Sequence, residues 1–338
     1  METRIYVTRH LRNPEFASAA RSAGLQQLAT LARVEDQPAA LTAEHAAGVV
    51  AVIADSAPFH DSFYAAADEL RVVARWGVGF DQVNVAAATR HGVLVTITPV
   101  HMDTVAEYTI GQWLATMKRT YTLNRNAHAG DTRVLRCYDV RGSTLGLYGF
   151  GRIGQEVAQR ALPLLGPGGR LLVYDTRPDI EELALHRGVV AVSSPEALFR
   201  VSDTVSLHVS GDATIVGADL LAQMQPHASL INPSRGNLVD DAAVHAAIED
   251  GTLYYYVVDD PLNGSRAIHH HHPRIIATNH SAGITVESSA RLDQATFDQV
   301  SAAVAGRRPA YILNPEALDH PRVTGWLDVA GAPDIEQE

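Results

Sequence analysis

Few six-residue runs restrict a fold as tightly as Gly149-Phe150-Gly151-Arg152-Ile153-Gly154, a G-x-G-x-x-G placed directly after an apolar strand, Thr144 to Tyr148, and directly before a helix, Gln155 to Leu165. The first glycine permits a tight turn, the second lets the backbone approach a pyrophosphate, and the third allows close packing of helix on strand. The helix start adds N–H groups and the positive end of a dipole, so the segment reads as an anion cradle of the dinucleotide-binding kind. Arg152 and Ile153 open that helix. Asp175 ends the following strand, Leu171 to Asp175, twenty-one residues after Gly154. A carboxylate there accepts from a ribose 2′-hydroxyl and repels a 2′-phosphate, which favours NAD over NADP, with Arg177 nearby weakening the preference slightly. A ligand-free turn, a flavin site and an S-adenosylmethionine site are the alternatives.

At 338 residues the chain suits two domains with a cleft between them. A formal charge of −11 without a clustered basic stripe argues against nucleic-acid partners. Cys137 is the single cysteine, which rules out an intrachain disulfide and a cysteine-based zinc site and suits a reducing cytoplasm. Arg4 and Arg9 flank a short apolar stretch without a secretory h-region, so the mature protein is expected to begin near Met1. The longest apolar run, Ala46 to Ala54, is far too short for a membrane helix and reads as a buried strand with its approach. No metal site and no membrane association are expected.

Short β-branched runs alternate with alanine-rich helical segments: Ile5 to Thr8, Val49 to Ile53, Val72 to Arg75 and Val93 to Ile97. That rhythm predicts βα units and a parallel sheet. Pro99 interrupts it, and Thr104 through Arg119 reads as a helix capped by Asp103 or Thr104. After Ser143 the rhythm resumes, with later strands at Thr204 to Val209, Ser229 to Asn232, Leu253 to Asp259 and Ile275 to Thr278, then a long helix over Val286 to Ala305. The expected fold is a doubly wound α/β protein with two Rossmann-like parallel-sheet domains, the nucleotide domain (101–284) inserted into a substrate domain (1–100 with 285–338).

A polar turn, Ile231-Asn232-Pro233-Ser234-Arg235-Gly236-Asn237-Leu238-Val239-Asp240, follows another apolar strand. Upstream stands Ser202-Asp203-Thr204-Val205-Ser206-Leu207-His208-Val209, and downstream Asn279-His280-Ser281-Ala282-Gly283. In this order, from about Ala51 to about Ala305, the chain resembles the D-isomer-specific 2-hydroxyacid dehydrogenase family. The resemblance implies that Arg235 grips a substrate carboxylate and polarises the reacting carbonyl, a task suited to a bidentate guanidinium. It implies that His280 is the acid/base, and it assigns His208, Val209, Pro233 and Ser234 to the cofactor. It also implies that Ala74-Arg75-Trp76-Gly77-Val78-Gly79-Phe80-Asp81 is a loop whose backbone N–H groups hold the carboxylate, with Trp76 narrowing the pocket. His101 stands where the family commonly has asparagine, and Asn279 where it usually has proline.

The chain departs from the family between strand and histidine. The family writes D-V-x-x-x-E-P, whereas this sequence has Val257-Val258-Asp259-Asp260-Pro261, about four residues shorter. Asp259 falls at the nicotinamide-contacting aspartate and Asp260 at the glutamate that pairs with the histidine. An extended strand would send the two side chains to opposite faces. The expectation is that Asp260 pairs with His280 and that Asp259 faces the nicotinamide. The run His269 to His272 reads as an exposed loop, with weak metal binding the alternative, and the resemblance to a family whose members often pair through the nucleotide domain implies a homodimer.

The function implied is reversible hydride transfer between NAD(H) and a small D-2-hydroxy acid or its 2-oxo acid, with domains closing over the carboxylate substrate. Rival readings are a dehydrogenase of phosphite or formate and an NAD(H)-sensing binding protein with vestigial turnover.

Overall fold

A strand covered on both faces needs apolar side chains at every position rather than at alternate ones, and Val49–Ala54, buried along its whole length, meets that demand. The computed structural model describes residues 4–7, 14–23, 25, 30–32, 40–54 and 57–327. The chain divides into two compact units, Met1–His101 with Val286–Glu338, and Met102–Thr285.

The first unit carries strands β1 (Arg4–Val7), β2 (Thr30–Ala32), β3 (Val49–Ala54), β4 (Val72–Arg75) and β5 (Leu94–Thr96). They form a five-stranded sheet in the order β2-β1-β3-β4-β5, every ladder parallel. Alternate faces of β3 feed two cores. Ala51 and Ile53 pack with Phe16, Phe297 and Val300, the latter two on the helix Val286–Val304, and Val49 and Val52 pack with Phe59, Phe63, Tyr64 and Leu70. Of the expected first strand, Thr8 lies outside the described residues, as does Asp55 beyond β3.

The second unit carries β6 (Thr144–Tyr148), β7 (Arg170–Tyr174), β8 (Val190–Ala191), β9 (Thr204–Leu207), β10 (Ser229–Asn232), β11 (Tyr255–Val258) and β12 (Ile275–Ala277). Their order is β12-β11-β10-β9-β6-β7-β8, again all parallel. The chain winds outward from β6 to β8, then returns to β9 and winds the other way. The loops after β6 and β9 therefore diverge, and open α/β sheets bind ligands at the strand C-termini of such a reversal. Neighbouring residues of one strand serve opposite cores, Leu230 and Tyr256 one, Ile231 and Val257 the other.

Three expectations are corrected. The helix expected over Thr104 to Arg119 spans Met102–Met117, and Arg119, at φ 49°, separates it from a second helix, Thr120–His128. The strand expected over Leu253 to Asp259 is β11 alone, so Asp259 and Asp260 lie in the loop beyond it. The histidine run is not wholly an exposed loop. His269 ends a helical turn, Gly264–His269, is 1% exposed and bonds Asp241 (3.1 Å), while His272 bonds Glu249 (2.7 Å). Among the described residues no helix is long and apolar enough to cross a membrane.

Candidate active site

The glycine turn after β6 is built by close backbone approach. Gly149 has φ 97°, and a Cβ there would fall 2.3 Å from the carbonyl oxygen of His208. Gly154 is equally constrained, since its Cβ would lie 2.4 Å from Gly149 O. Gly151 differs: apart from its own chain neighbours, nothing among the described residues lies within 4 Å of where its Cβ would be. It caps the helix Arg152–Leu165 without a side-chain bond, which leaves the first-turn N–H groups of Arg152, Ile153 and Gly154 without an intrahelical acceptor.

Asp175 stands beside this turn. Its Oδ2 accepts from Phe150 N (2.6 Å) and its Oδ1 from Arg177 N (3.0 Å). Each carboxylate oxygen retains a lone pair for a further donor. His208, just past β9, is buried, and neither ring nitrogen has a hydrogen-bond partner among the described residues. Burial pushes its pKa down to about 3, so the ring is neutral near pH 7. Val209 flanks the same turn, with its Cγ1 2.7 Å from the Cβ position of Gly149. Uncapped N–H groups, an open side at Gly151, a carboxylate at the end of β7 and an orphaned imidazole together fit a dinucleotide.

The loop after β10 presents Arg235. Asn232 holds it from within, accepting from Ser234 N (3.1 Å) and donating to Arg235 O (2.7 Å). Ser234 Oγ reaches across to Leu207 O (2.8 Å), and Pro233 is buried between them in sequence. The N–H of Gly236, the other end of the Arg235–Gly236 peptide, donates to Asp260 Oδ2 (2.9 Å). Arg266 lies 3.4 Å from the same carboxylate oxygen and donates through Nε to Pro261 O (3.0 Å). The half-buried Arg235 guanidinium donates to Ser234 O (2.8 Å), among other interactions.

Asp259 serves the other neighbour of β11. It is 2% exposed, and its carboxylate accepts from Thr278 Oγ1 (2.5 Å), Ser281 N (2.8 Å) and Ala282 N (2.7 Å). Thr278 in turn accepts from Tyr108 OH (2.8 Å), whose pKa burial raises. These bonds bracket His280, which is exposed and adopts φ 57°, a left-handed conformation that is uncommon outside glycine. Its Nδ1 lies 3.4 Å from the backbone oxygen of Asp259.

The expected Asp260–His280 pair is therefore absent, and no carboxylate pairs with His280 among the described residues. The physical reason is the shortened loop: with Pro261 directly after it, Asp260 turns toward β10 and meets Gly236 and Arg266. Asp259 is committed to the residue 278–282 loop through both of its oxygens. Tyr108, Thr278 and Arg266 were not legible as site residues, since a tyrosine in a helix, a threonine at a strand end and an arginine in a turn carry no motif.

In the first unit, Trp76 Nε1 donates to Asp293 Oδ1 (2.8 Å), and half-burial raises the pKa of that carboxyl. Gly77 has φ 123°, and its N–H donates to Arg75 O (3.0 Å) within the loop. The N–H groups of Val78 and Gly79 have no protein partner among the described residues. A Cβ at Gly77 would lie 3.8 Å from the His101 ring, so the loop and His101 are neighbours.

Residues 110–282 match the family model "D-isomer specific 2-hydroxyacid dehydrogenase, NAD binding domain". A glyoxylate reductase of Korarchaeum cryptofilum is 32% identical over 283 residues, covering 77% of this chain and 81% of the relative. A glycerate dehydrogenase of Methylorubrum extorquens is 31% identical over 256 residues, covering 71% of this chain and 77% of the relative. The solved 2-hydroxyacid dehydrogenase of Ketogulonicigenium vulgare superimposes with a TM-score of 0.78 at 24% identity, covering 92% of this chain and 98% of that one, and shares the fold. The chain belongs to the D-isomer specific 2-hydroxyacid dehydrogenase family, and is an NAD-dependent dehydrogenase acting on 2-hydroxy acids.

Proposed function

We propose that the protein interconverts a small 2-oxo acid and its D-2-hydroxy acid, with Arg235 as carboxylate anchor and His280 as acid/base. The observation that carries this reading is the end of β11. Two consecutive carboxylates tie down the two neighbouring loops, Asp260 the Arg235 turn after β10 and Asp259 the His280 turn after β12. When bound, NADH supplies the hydride. Arg235 holds the carboxylate and polarises the carbonyl oxygen, and His280 delivers a proton to that oxygen as the hydride reaches the carbon, or removes it in the reverse direction.

The cofactor contacts are assigned to Gly149, Gly151, Arg152, Ile153, Gly154, Asp175, His208, Val209, Pro233 and Ser234. In the first unit, the loop Trp76, Gly77, Val78 and Gly79, with His101, is given the substrate-binding part that the family implies. The relatives' names bring glyoxylate and hydroxypyruvate forward as substrates to try. A homodimer in a reducing cytoplasm belongs to the same proposal, supported by the family and by the single cysteine.

Steady-state kinetics of Arg235→Ala and His280→Asn tests the assignment. Arg235→Ala is expected to lower kcat/KM about 100-fold or more, largely through KM, and His280→Asn to lower kcat about 100-fold or more, while both still bind NADH. Unchanged kinetics in either variant would remove that residue from the role. His280 has no carboxylate partner among the described residues, and that favours a second reading, an NADH-binding sensor with vestigial turnover. Tight NADH binding without turnover on any 2-oxo acid would favour it.

A further inference from the structure

The Arg235–Gly236 peptide is gripped at both ends. Its oxygen accepts from Asn232 Nδ2 (2.7 Å), and its N–H donates to Asp260 Oδ2 (2.9 Å). A peptide unit is rigid and planar, so holding both ends places the Arg235 α-carbon from which the side chain departs. The Asn232 grip is local to the turn, three residues away. The Asp260 grip comes from the next strand's loop and brings a charge with it.

That charge is balanced. The Arg266 guanidinium stands 3.4 Å from Asp260 Oδ2, with its Nε donating to Pro261 O (3.0 Å). It also lies against the α-carbon of Gly236, where a Cβ would come within 2.3 Å of Arg266 Nη1. A side chain at 236 would displace the guanidinium from that place. Arg266 is itself seated on the turn Gly264–His269, which Asp241 fastens through Ser265 Oγ (2.5 Å) and His269 Nε2 (3.1 Å). A continuous chain of contacts thus runs from the helix Asp241–Glu249 through the turn to Arg266, Asp260 and the peptide that follows the anchor's α-carbon.

We propose that Asp260 and Arg266 form a positioning pair for Arg235, and that Asp260 acts on substrate binding through this arginine rather than on proton transfer through His280. The proposal rests on Arg235 being the carboxylate anchor. A charged pair bracing a catalytic group sets its geometry to a fraction of an ångström, and losing the brace weakens binding without changing which group carries the proton.

The test compares Asp260→Ala, Arg266→Gln and Arg235→Ala in the NADH-loaded protein, using oxamate binding by calorimetry, KM and kcat for a 2-oxo acid, and the pH profile of kcat/KM. Melting temperature and NADH affinity identify any variant that has simply failed to fold. Asp260→Ala and Arg266→Gln are each expected to weaken oxamate binding and raise KM about tenfold, as for a lost hydrogen bond to a charged group. In both, the limbs of the pH profile stay where they are in the wild type.

A displaced limb in Asp260→Ala, with Arg266→Gln silent, overturns the proposal and returns Asp260 to the histidine. Weakened oxamate binding in Arg235→Ala with both other variants silent overturns the proposal alone and leaves the anchor standing. A silent Arg235→Ala overturns the anchor and the proposal together.

Discussion

His208 turns its burial into a measurable pH dependence. Its pKa falls from 6.5 to about 3 in the folded protein because the charged ring would lose its hydration. The unfolded chain therefore binds a proton that the folded one refuses, and stability is lost as pH falls from 6.5 toward 3, by about 1.4 kcal/mol per unit at the steepest. Above 6.5 the residue contributes no slope. Melting temperature followed from neutral to acid pH should fall less steeply in His208→Gln than in the wild type. Parallel curves would mean that His208 is solvated or paired. At this scale the sequence was half legible. Arg235 and His280 stood out through their motifs, whereas the partners of Asp259 and Asp260 depend on where a loop shorter than the family's turns. That is a tertiary fact, and no local spacing encodes it.

Among the elements, the glycine turn after β6 allows stability and cofactor binding to be separated. Gly149→Ala places a methyl 2.3 Å from His208 O at a positive φ, and is expected to lower stability by about 1–3 kcal/mol together with NADH affinity. The methyl of Gly151→Ala meets nothing within 4 Å among the described residues beyond its chain neighbours. It is expected to leave the melting temperature in place while weakening NADH binding, because the added methyl occupies space the pyrophosphate approaches. Thermal unfolding and NADH titration of both variants check this. Equal destabilisation by the two would mean that the turn is only structural. Strands were legible where double burial demands apolar runs, as at Val49–Ala54 and Tyr255–Val258. Their ends were not, since Thr278 and Asp259 continue the polarity pattern of a strand but bond into loops. Short strands such as Thr30–Ala32 and Val190–Ala191, at the sheet edges, carry too few residues for a period to register.

For the whole molecule, alternation of β-branched runs with helices was enough to set the parallel sheets, and the G-x-G-x-x-G followed by Asp175 was enough to point to a dinucleotide cofactor. The order of strands in each unit follows from the winding rule rather than from any single residue. Which 2-hydroxy acid is the substrate is not written in the chain's pattern, because side-chain packing around residues such as Trp76 and His101 is a tertiary fact. The central claim is hydride transfer from NADH to a small 2-oxo acid. Consumption of NADH, with NADPH in parallel, followed by absorbance against glyoxylate, hydroxypyruvate, pyruvate and larger 2-oxo acids, tests it most directly. The account expects turnover on at least one acid with NADH and much weaker turnover with NADPH, because Asp175 repels a 2′-phosphate. Bound NADH that is never consumed by any of these acids would contradict it.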